Sequence, residues 1–93
     1  MPGYRLSRRA DRKLAAIYEY TFVHMGEAQA DAYLLALEST FTLLAARPQL
    51  GRPFYEYRRH EHGAHVIFYR LRRGGILIVD LLHRREDAEK IRT

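Results

Sequence analysis

Two apolar runs of eight residues, 64–71 and 76–83, dominate the last third of the chain. Both are rich in β-branched, aromatic and aliphatic side chains, and a short stretch containing Gly74-Gly75 separates them. Glycine accepts the positive φ angles of tight hairpin turns, so the pattern predicts a β-hairpin that turns at these two glycines. Apolar residues stand at odd and even positions alike, which predicts that both faces of the hairpin are covered.

Two helices are predicted before the hairpin. The first begins at Arg8, follows an N-cap at Ser7 and ends just before Gly26, whereas the second begins at Glu27 and ends before Pro48. The apolar positions at helical spacing are Ala10, Leu14, Ile17, Tyr18, Thr21 and Phe22 in the first helix, and Ala30, Tyr33, Leu34, Leu37, Phe41, Leu44 and Ala45 in the second. Because the link between them is short, the helices are expected to form an antiparallel hairpin.

The remaining segments are short. Residues 4–6 predict a first strand, and residues 54–60 predict an edge strand that its arginines protect from aggregation. Residues 47–53 predict an ordered linker, residues 61–63 a turn, and the polar residues 84–93 at most two helical turns docked on the sheet. The elements predict one α+β domain over residues 1–93, with a short N-terminal strand, an antiparallel helix hairpin packed on a small antiparallel β-sheet, and a short C-terminal helical tail.

Composition narrows the class of protein. The 93 residues include no cysteine, which excludes disulfides and thiolate metal sites and fits a reducing compartment, so we expect a cytoplasmic protein. The N-terminus lacks the apolar segment of a signal peptide. The net charge is +5, yet residues 14–46 contain no lysine or arginine, which concentrates the basic residues at the two ends. A basic surface of this kind suits an acidic protein partner or a nucleic-acid backbone.

Cofactor and metal signals are weak. Gly74-Gly75 and the isolated glycines lack the spacing of a phosphate-binding loop, so we expect no nucleotide cofactor. His60 and His62 have a spacing that can bind a metal, but no matching carboxylate or thiolate cluster accompanies them. We therefore expect no metal site.

One possible catalytic arrangement depends on the register of the hairpin. If Gly74-Gly75 is a two-residue loop, Arg70 faces Val79 and Val66 faces His83, which places Arg70 and His83 on one face together with Phe68 and Leu81. Tyr69 then pairs with Asp80 on the other face. Phosphate clamping and acid-base catalysis of RNA cleavage through a 2′-hydroxyl would draw on Arg70, His83, Arg84, Arg85, Arg58, Arg59 and either Glu56 or Glu61. The alternative is that Arg70 and His83 are rim residues and that Tyr69 and Asp80 are a structural pair.

The order of elements resembles the ParE/RelE superfamily of toxin-antitoxin toxins, and the details resemble its ParE branch. The matching segments are Leu6-Ser7-x-x-Ala10-x-x-x-Leu14-x-x-Ile17-x-x-Tyr20, Gly26-Glu27-x-Gln29-Ala30-x-x-Tyr33, Leu44-Ala45-x-x-Pro48-x-x-Gly51-Arg52, His65-Val66-Ile67-Phe68-Tyr69-Arg70 and Leu81-Leu82-His83-x-Arg85-x-Asp87. Together these segments span nearly the whole chain.

The resemblance implies a cytoplasmic bacterial toxin of a type II module, with a ParD-like antitoxin as partner and DNA gyrase as the usual target. ParE-like toxins are regarded as non-enzymatic inhibitors, whereas RelE-like members of the same fold cut messenger RNA on the ribosome. If this chain is such a ribonuclease, the expected catalytic residues are Arg70, His83 and Arg84. A non-toxic basic module that binds nucleic acid is a further alternative.

Candidate contact residues follow from the charge and the apolar pattern. Target-binding candidates on the sheet rim and tail are Arg58, Arg59, Arg70, His83, Arg84 and Arg85. The helices cover one sheet face and leave little chain for the other, which predicts a hydrophobic groove that a partner segment fills. The resemblance implies that this partner is the C-terminal region of the antitoxin. The antitoxin-binding candidates are Tyr55, Tyr57, Val66, Phe68, Leu81 and Ile91.

Overall fold

The fold was analysed in a computed structural model that describes residues 3–92. The strands are β1 (Gly3–Leu6), β2 (Arg52–Phe54), β3 (Tyr57–His62), β4 (His65–Arg72) and β5 (Gly75–His83). The helices are α1 (Arg8–Met25) and α2 (Glu27–Ala46), with short 3-10 helices at Pro48–Leu50 and Ala88–Arg92. The α+β class and the helix hairpin predicted from the sequence are confirmed.

The sheet has five strands in the order β1-β5-β4-β3-β2. Strand β1 pairs with β5 in parallel, and the other neighbours are antiparallel. The predicted edge strand at residues 54–60 is divided in the structure, because a turn at Tyr55-Glu56 separates β2 from β3. Glu61 and His62, which were expected in a turn, belong to β3. The sheet is therefore wider than the sequence predicted, and β1 makes it mixed.

The helix boundaries follow from local chemistry. The Ser7 hydroxyl accepts a hydrogen bond from the backbone N–H of Ala10 at 3.0 Å, as expected of an N-cap. The same hydroxyl donates to the carbonyl of Val79 at 2.8 Å, which ties the start of α1 to β5. Gly26 ends α1 with a φ of 93°, a conformation that glycine adopts without steric cost. The Ser7 contacts therefore fix the start of α1 to the middle of β5, and Gly26 turns the chain into α2.

The two faces of the sheet have separate cores. Beneath the helices, Phe41 and Leu44 of α2 pack with Ile67, Tyr69 and Ile78 of the sheet. This burial of large apolar side chains is the main stabilising contribution of a domain of this size.

The opposite surface, here called the helix-free face, has a smaller core formed by Val66, Phe68 and Leu82 of the sheet with Ile91 of the C-terminal 3-10 helix. The C-terminal 3-10 helix thus covers part of this face, as the sequence predicted for residues 84–93. Thr93 lies outside the described residues. Less of the face is left for a partner than the sequence suggested.

The register of the β4–β5 hairpin differs from the prediction. The loop is Arg73-Gly74, and the observed pairs are Arg72 with Gly75, Arg70 with Leu77, Tyr69 with Ile78, Phe68 with Asp80 and Val66 with Leu82. A β-bulge between the pair Tyr69–Ile78 and the pair Phe68–Asp80 leaves Val79 of β5 without a partner in β4. The predicted pairings of Arg70 with Val79, Val66 with His83 and Tyr69 with Asp80 are wrong.

The altered register separates the two residues that the ribonuclease arrangement requires. His83 pairs with His65 on the side of the helices, whereas Arg70 follows the helix-side residue Tyr69 and therefore points to the helix-free face. Phe68 and Leu81 are likewise in different cores. The prediction that Arg70 and His83 share one face is wrong.

Tyr69 is expected to be important for stability, because its hydroxyl joins the linker to the sheet. The buried hydroxyl donates to the carbonyl of Pro48 at 2.7 Å and accepts from the N–H of Gly51 at 2.8 Å. Tyr69→Phe leaves both backbone groups without this partner, so the free energy of unfolding should fall by about 2 kcal/mol. Urea unfolding measures the change. The control is Tyr55→Phe, whose exposed hydroxyl bonds Glu89, and a loss as large as that of Tyr69→Phe would contradict the explanation.

Candidate partner-binding sites

A groove, here called the helix-side groove, lies between α1, the first turns of α2 and the ends of β4 and β5. Its volume is about 390 Å³. The side chains that give it its apolar character and its polar rim are Ile17, Tyr20, Met25, Tyr33, Leu81 and His83. A groove of this size is large enough for a few side chains of a bound peptide segment.

The end of α1 that borders the groove exposes large apolar side chains. Tyr20, Val23 and Met25 are 63%, 70% and 67% exposed. Apolar residues on several sides of one helix are typical of a helix with a second contact besides the core. Sequence reasoning assigned α1 a single apolar face and missed this surface, although Tyr20, Val23 and Met25 lie outside the stripe that it identified.

A cluster of histidine and tyrosine side chains forms one wall of the groove. The Tyr33 hydroxyl donates to the carbonyl of His62 at 3.2 Å and lies 2.7 Å from Nδ1 of His65. The ring of His65 meets that of His83 edge to face, with centroids 5.6 Å apart. Nδ1 of His62 lies 3.0 Å from the Thr40 hydroxyl. These contacts hold the ends of β3, β4 and β5 against α2.

Burial and like charge disfavour protonation of this cluster. Burial lowers the pKa of His65, and His83 and His62 lower it further, whereas Glu86 opposes them. Burial also lowers the pKa of His62, and His60 adds to this shift. Both histidines are consequently neutral over a wider pH range than an exposed histidine.

This cluster predicts that the fold weakens in mild acid. As the pH falls below about 6.5, histidines of the unfolded chain take up protons that His62 and His65 in the folded chain resist, so the free energy of unfolding falls. Above that pH the histidines are neutral in the folded and the unfolded chain alike, so the free energy of unfolding has its full value. His65→Gln should flatten the dependence between pH 8 and pH 5.5, roughly the range of histidine titration, as measured by urea midpoints. His24→Gln removes a histidine outside the cluster, and an equal flattening there would contradict the prediction.

Asp80 holds the start of α1 onto the sheet. Its carboxylate is almost fully buried, accepts from the Lys13 ammonium at 3.3 Å and lies 3.7 Å from the Arg9 guanidinium. It also accepts from the N–H of Leu81 at 2.8 Å. Asp80 therefore has a structural role, as the alternative interpretation proposed, but its partners are cations of α1 and not Tyr69.

The candidate target-binding residues are spread over several surfaces. Arg84 pairs with Glu61 at 3.1 Å, and Arg58 donates to the carbonyl of Gly51 at 2.6 Å. The Arg59 guanidinium lies 5.5 Å from the Phe54 ring centroid on the helix-free face. The other three candidates, Arg70, His83 and Arg85, are exposed, with His83 at the helix-side groove. The structure does not bring the six together.

The candidate antitoxin-binding residues divide in a similar way. Val66, Phe68 and Ile91 are buried in the helix-free core of the chain itself. Leu81 is also buried, in the core beneath the helices, but it forms part of the floor of the helix-side groove. Tyr57 is half-buried, and the exposed ring of Tyr55 has the Arg92 guanidinium 3.8 Å from its centroid. Contact with the first three requires the segment Ala88–Arg92 to move, whereas the groove is open.

Neither a metal centre nor a membrane span is found in the part of the chain that the structure describes. Over residues 3–92, no three histidine, aspartate or glutamate side chains are grouped so as to hold a metal ion. Over the same residues, neither helix is long and apolar enough to cross a membrane.

Comparison with known proteins identifies relatives over nearly the whole chain. A family model described as "ParE toxin of type II toxin-antitoxin system, parDE" matches residues 4–88. The chain is 40% identical over 75 residues to Toxin ParE1 of Caulobacter vibrioides, covering 76% of this chain and 78% of the relative. It is 36% identical over 92 residues to Toxin ParE1 of Mycobacterium tuberculosis, covering 94% of each.

A solved structure shares the fold. The structure titled "Chromosomal ParDE TA system from P. aeruginosa" aligns with a TM-score of 0.77 at 21% identity, covering 89% of this chain and 96% of that one. At this identity the likeness concerns the fold alone. The family model and the relatives decide the assignment: the chain belongs to the ParE toxin family of type II toxin-antitoxin systems.

Proposed function

We propose that this chain is the toxin of a ParDE module, that it inhibits DNA gyrase in the cytoplasm by binding, and that a ParD-like antitoxin neutralises it. The observation that carries the proposal is the family match, which extends over residues 4–88 and so includes every residue that lines the helix-side groove.

The antitoxin segment binds in the helix-side groove. Support comes from the exposed apolar surface formed by Tyr20 and Met25. Further support comes from the groove residue Leu81, which the sequence predicted as an antitoxin-binding residue. An amphipathic segment places apolar side chains in such a groove and keeps its polar side in water. The first turns of α1 add exposed arginines at Arg8 and Arg12, so acidic residues in the segment complement the toxin surface.

The mechanism is inhibition by binding and not catalysis. A ribonuclease of this fold would require an arginine for the phosphate and a histidine for proton transfer at one place. Arg70 and His83 point to opposite faces of the sheet, and Arg84 is engaged by Glu61. This separation favours the inhibitor over the ribosome-dependent ribonuclease.

Two reactions with the purified protein test the target. One measures DNA supercoiling by gyrase, and the other measures cleavage of messenger RNA during translation. We expect supercoiling to be inhibited, inhibition to be relieved by the antitoxin encoded beside this chain, and messenger RNA to stay intact. Messenger RNA cleavage that Arg70→Ala or His83→Ala abolishes, with gyrase unaffected, would overturn the proposal in favour of the ribonuclease.

A further inference from the structure

One end of the helix-free face is open and strongly basic. Arg5 of β1 and Arg70 of β4 are the two cross-strand neighbours of Leu77 in β5. Directly paired residues of adjacent strands project to the same side, so both guanidiniums flank the half-buried Leu77. Arg72 and Arg73 continue this surface at the hairpin tip. The set Arg5, Arg70, Arg72, Arg73 and Leu77 is here called the open basic face.

The cations of the open basic face have no carboxylate partners within residues 3–92. Arg5, Arg70, Arg72 and Arg73 are exposed, and each lies outside the ion pairs that engage other arginines of the chain. Glu56 is the carboxylate that lines the adjoining depression of about 330 Å³, to which Arg70 also contributes. Four neighbouring guanidiniums that form no ion pair among the described residues repel one another, so they favour a polyanion that neutralises several of them together.

Nearby, Arg59 extends the same chemistry toward the centre of the face. Its guanidinium lies 5.5 Å from the Phe54 ring centroid and 5.6 Å from that of Phe68. Its Nε is buried without a hydrogen-bond partner among the described residues. The Arg59 guanidinium packs against two aromatic rings and not against a carboxylate. Its positive charge therefore adds to that of the open basic face.

We propose that the open basic face binds the phosphodiester backbone of duplex DNA. Adjacent strands are about 4.8 Å apart, so Arg5 and Arg70 are separated by about 10 Å and reach different phosphates. A duplex is favoured over a single strand, because single strands need free aromatic rings for base stacking. The exposed ring of the adjoining depression, Tyr55, is already covered by the Arg92 guanidinium, 3.8 Å from its centroid. Binding through phosphates carries no base sequence preference.

This inference goes beyond the proposed gyrase inhibition and is tested without gyrase. Fluorescence anisotropy with a short labelled duplex measures affinity over a range of salt concentrations. For the double variant Arg5→Glu/Arg70→Glu we expect affinity to fall at least about 10-fold and the slope of log K against log salt to shrink by about 2. Circular dichroism and binding to the antitoxin confirm that the variant is folded.

Arg47→Glu is the matched control for each single variant, Arg5→Glu and Arg70→Glu, because Arg47 is an exposed arginine at the end of α2 on the other side of the sheet and all three changes alter the net charge equally. It should keep most of the affinity and the salt slope. A loss in Arg47→Glu equal to that in Arg5→Glu or Arg70→Glu would assign binding to net charge and overturn the proposal, as would absence of duplex binding by the unaltered protein. Tighter binding of an acidic peptide, poly-glutamate, than of DNA would also overturn it and assign the face to a protein partner.

A labelled single strand that binds more weakly than the duplex supports the proposal, and one that binds more tightly overturns the choice of duplex.

Discussion

Replacing Gly75 with alanine should lower the free energy of unfolding by about 3 kcal/mol. Gly75 has a φ of 153°, and an added Cβ would collide with the backbone carbonyl of Gly3. Alanine disfavours positive φ by about 1 to 2 kcal/mol, and crowding against rigid backbone adds a comparable cost. The collision also forces β1 away from β5.

The neighbouring glycines provide matched controls for thermal or urea unfolding. Gly74 has a φ of 81° but open space around it, so Gly74→Ala should cost about 1 kcal/mol from conformation alone. Gly3 has open space and no positive φ, so Gly3→Ala should change stability by less than about 0.5 kcal/mol. If Gly74→Ala and Gly75→Ala are equally destabilising, close approach of β1 is not the reason for the second glycine.

The same glycine shows why the sequence predicted the hairpin but not its register. A Gly-Gly pair between two strand-like runs is a strong turn signal, and both glycines were assigned to the loop. The structure uses only Gly74 in the loop, together with Arg73, and places Gly75 in β5 beside the parallel strand β1. That contact joins residues about seventy positions apart, and local pattern contains no information about it.

The candidate sites show the same limit of local reasoning. The helices, their caps and the terminal tail depend on neighbouring residues, and the sequence placed all of them. The position of His83 depends on the bulge at Val79, which turns it toward the helices and away from Arg70. The helix-side groove forms where α1, α2 and the ends of β4 and β5 meet, which local pattern does not show. Of its lining residues, the sequence predicted only Leu81, as an antitoxin contact, and His83, as a target contact.

Introducing a carboxylate into the helix-side groove should uncouple neutralisation from toxicity. Ala16 is exposed on α1 and lines the groove, so Ala16→Glu places a carboxylate where apolar side chains of the antitoxin are proposed to bind. Burial of such a charge is costly, and an acidic antitoxin segment also repels it. We expect antitoxin affinity to fall about 100-fold, equivalent to about 2.7 kcal/mol, as measured by calorimetry.

Ala15→Glu is the matched control, because Ala15 is the exposed preceding residue of α1 and lies outside the groove. Both variants add one carboxylate to the same helix, so they have equal net charge and nearly equal helix propensity. Ala15→Glu should bind the antitoxin within about 3-fold of the unaltered chain, roughly 0.7 kcal/mol. Both should inhibit gyrase, and co-expressed antitoxin should restore growth only for Ala15→Glu. Restored growth with Ala16→Glu would mean that the antitoxin binds elsewhere, with the partly covered helix-free face as the next surface to test.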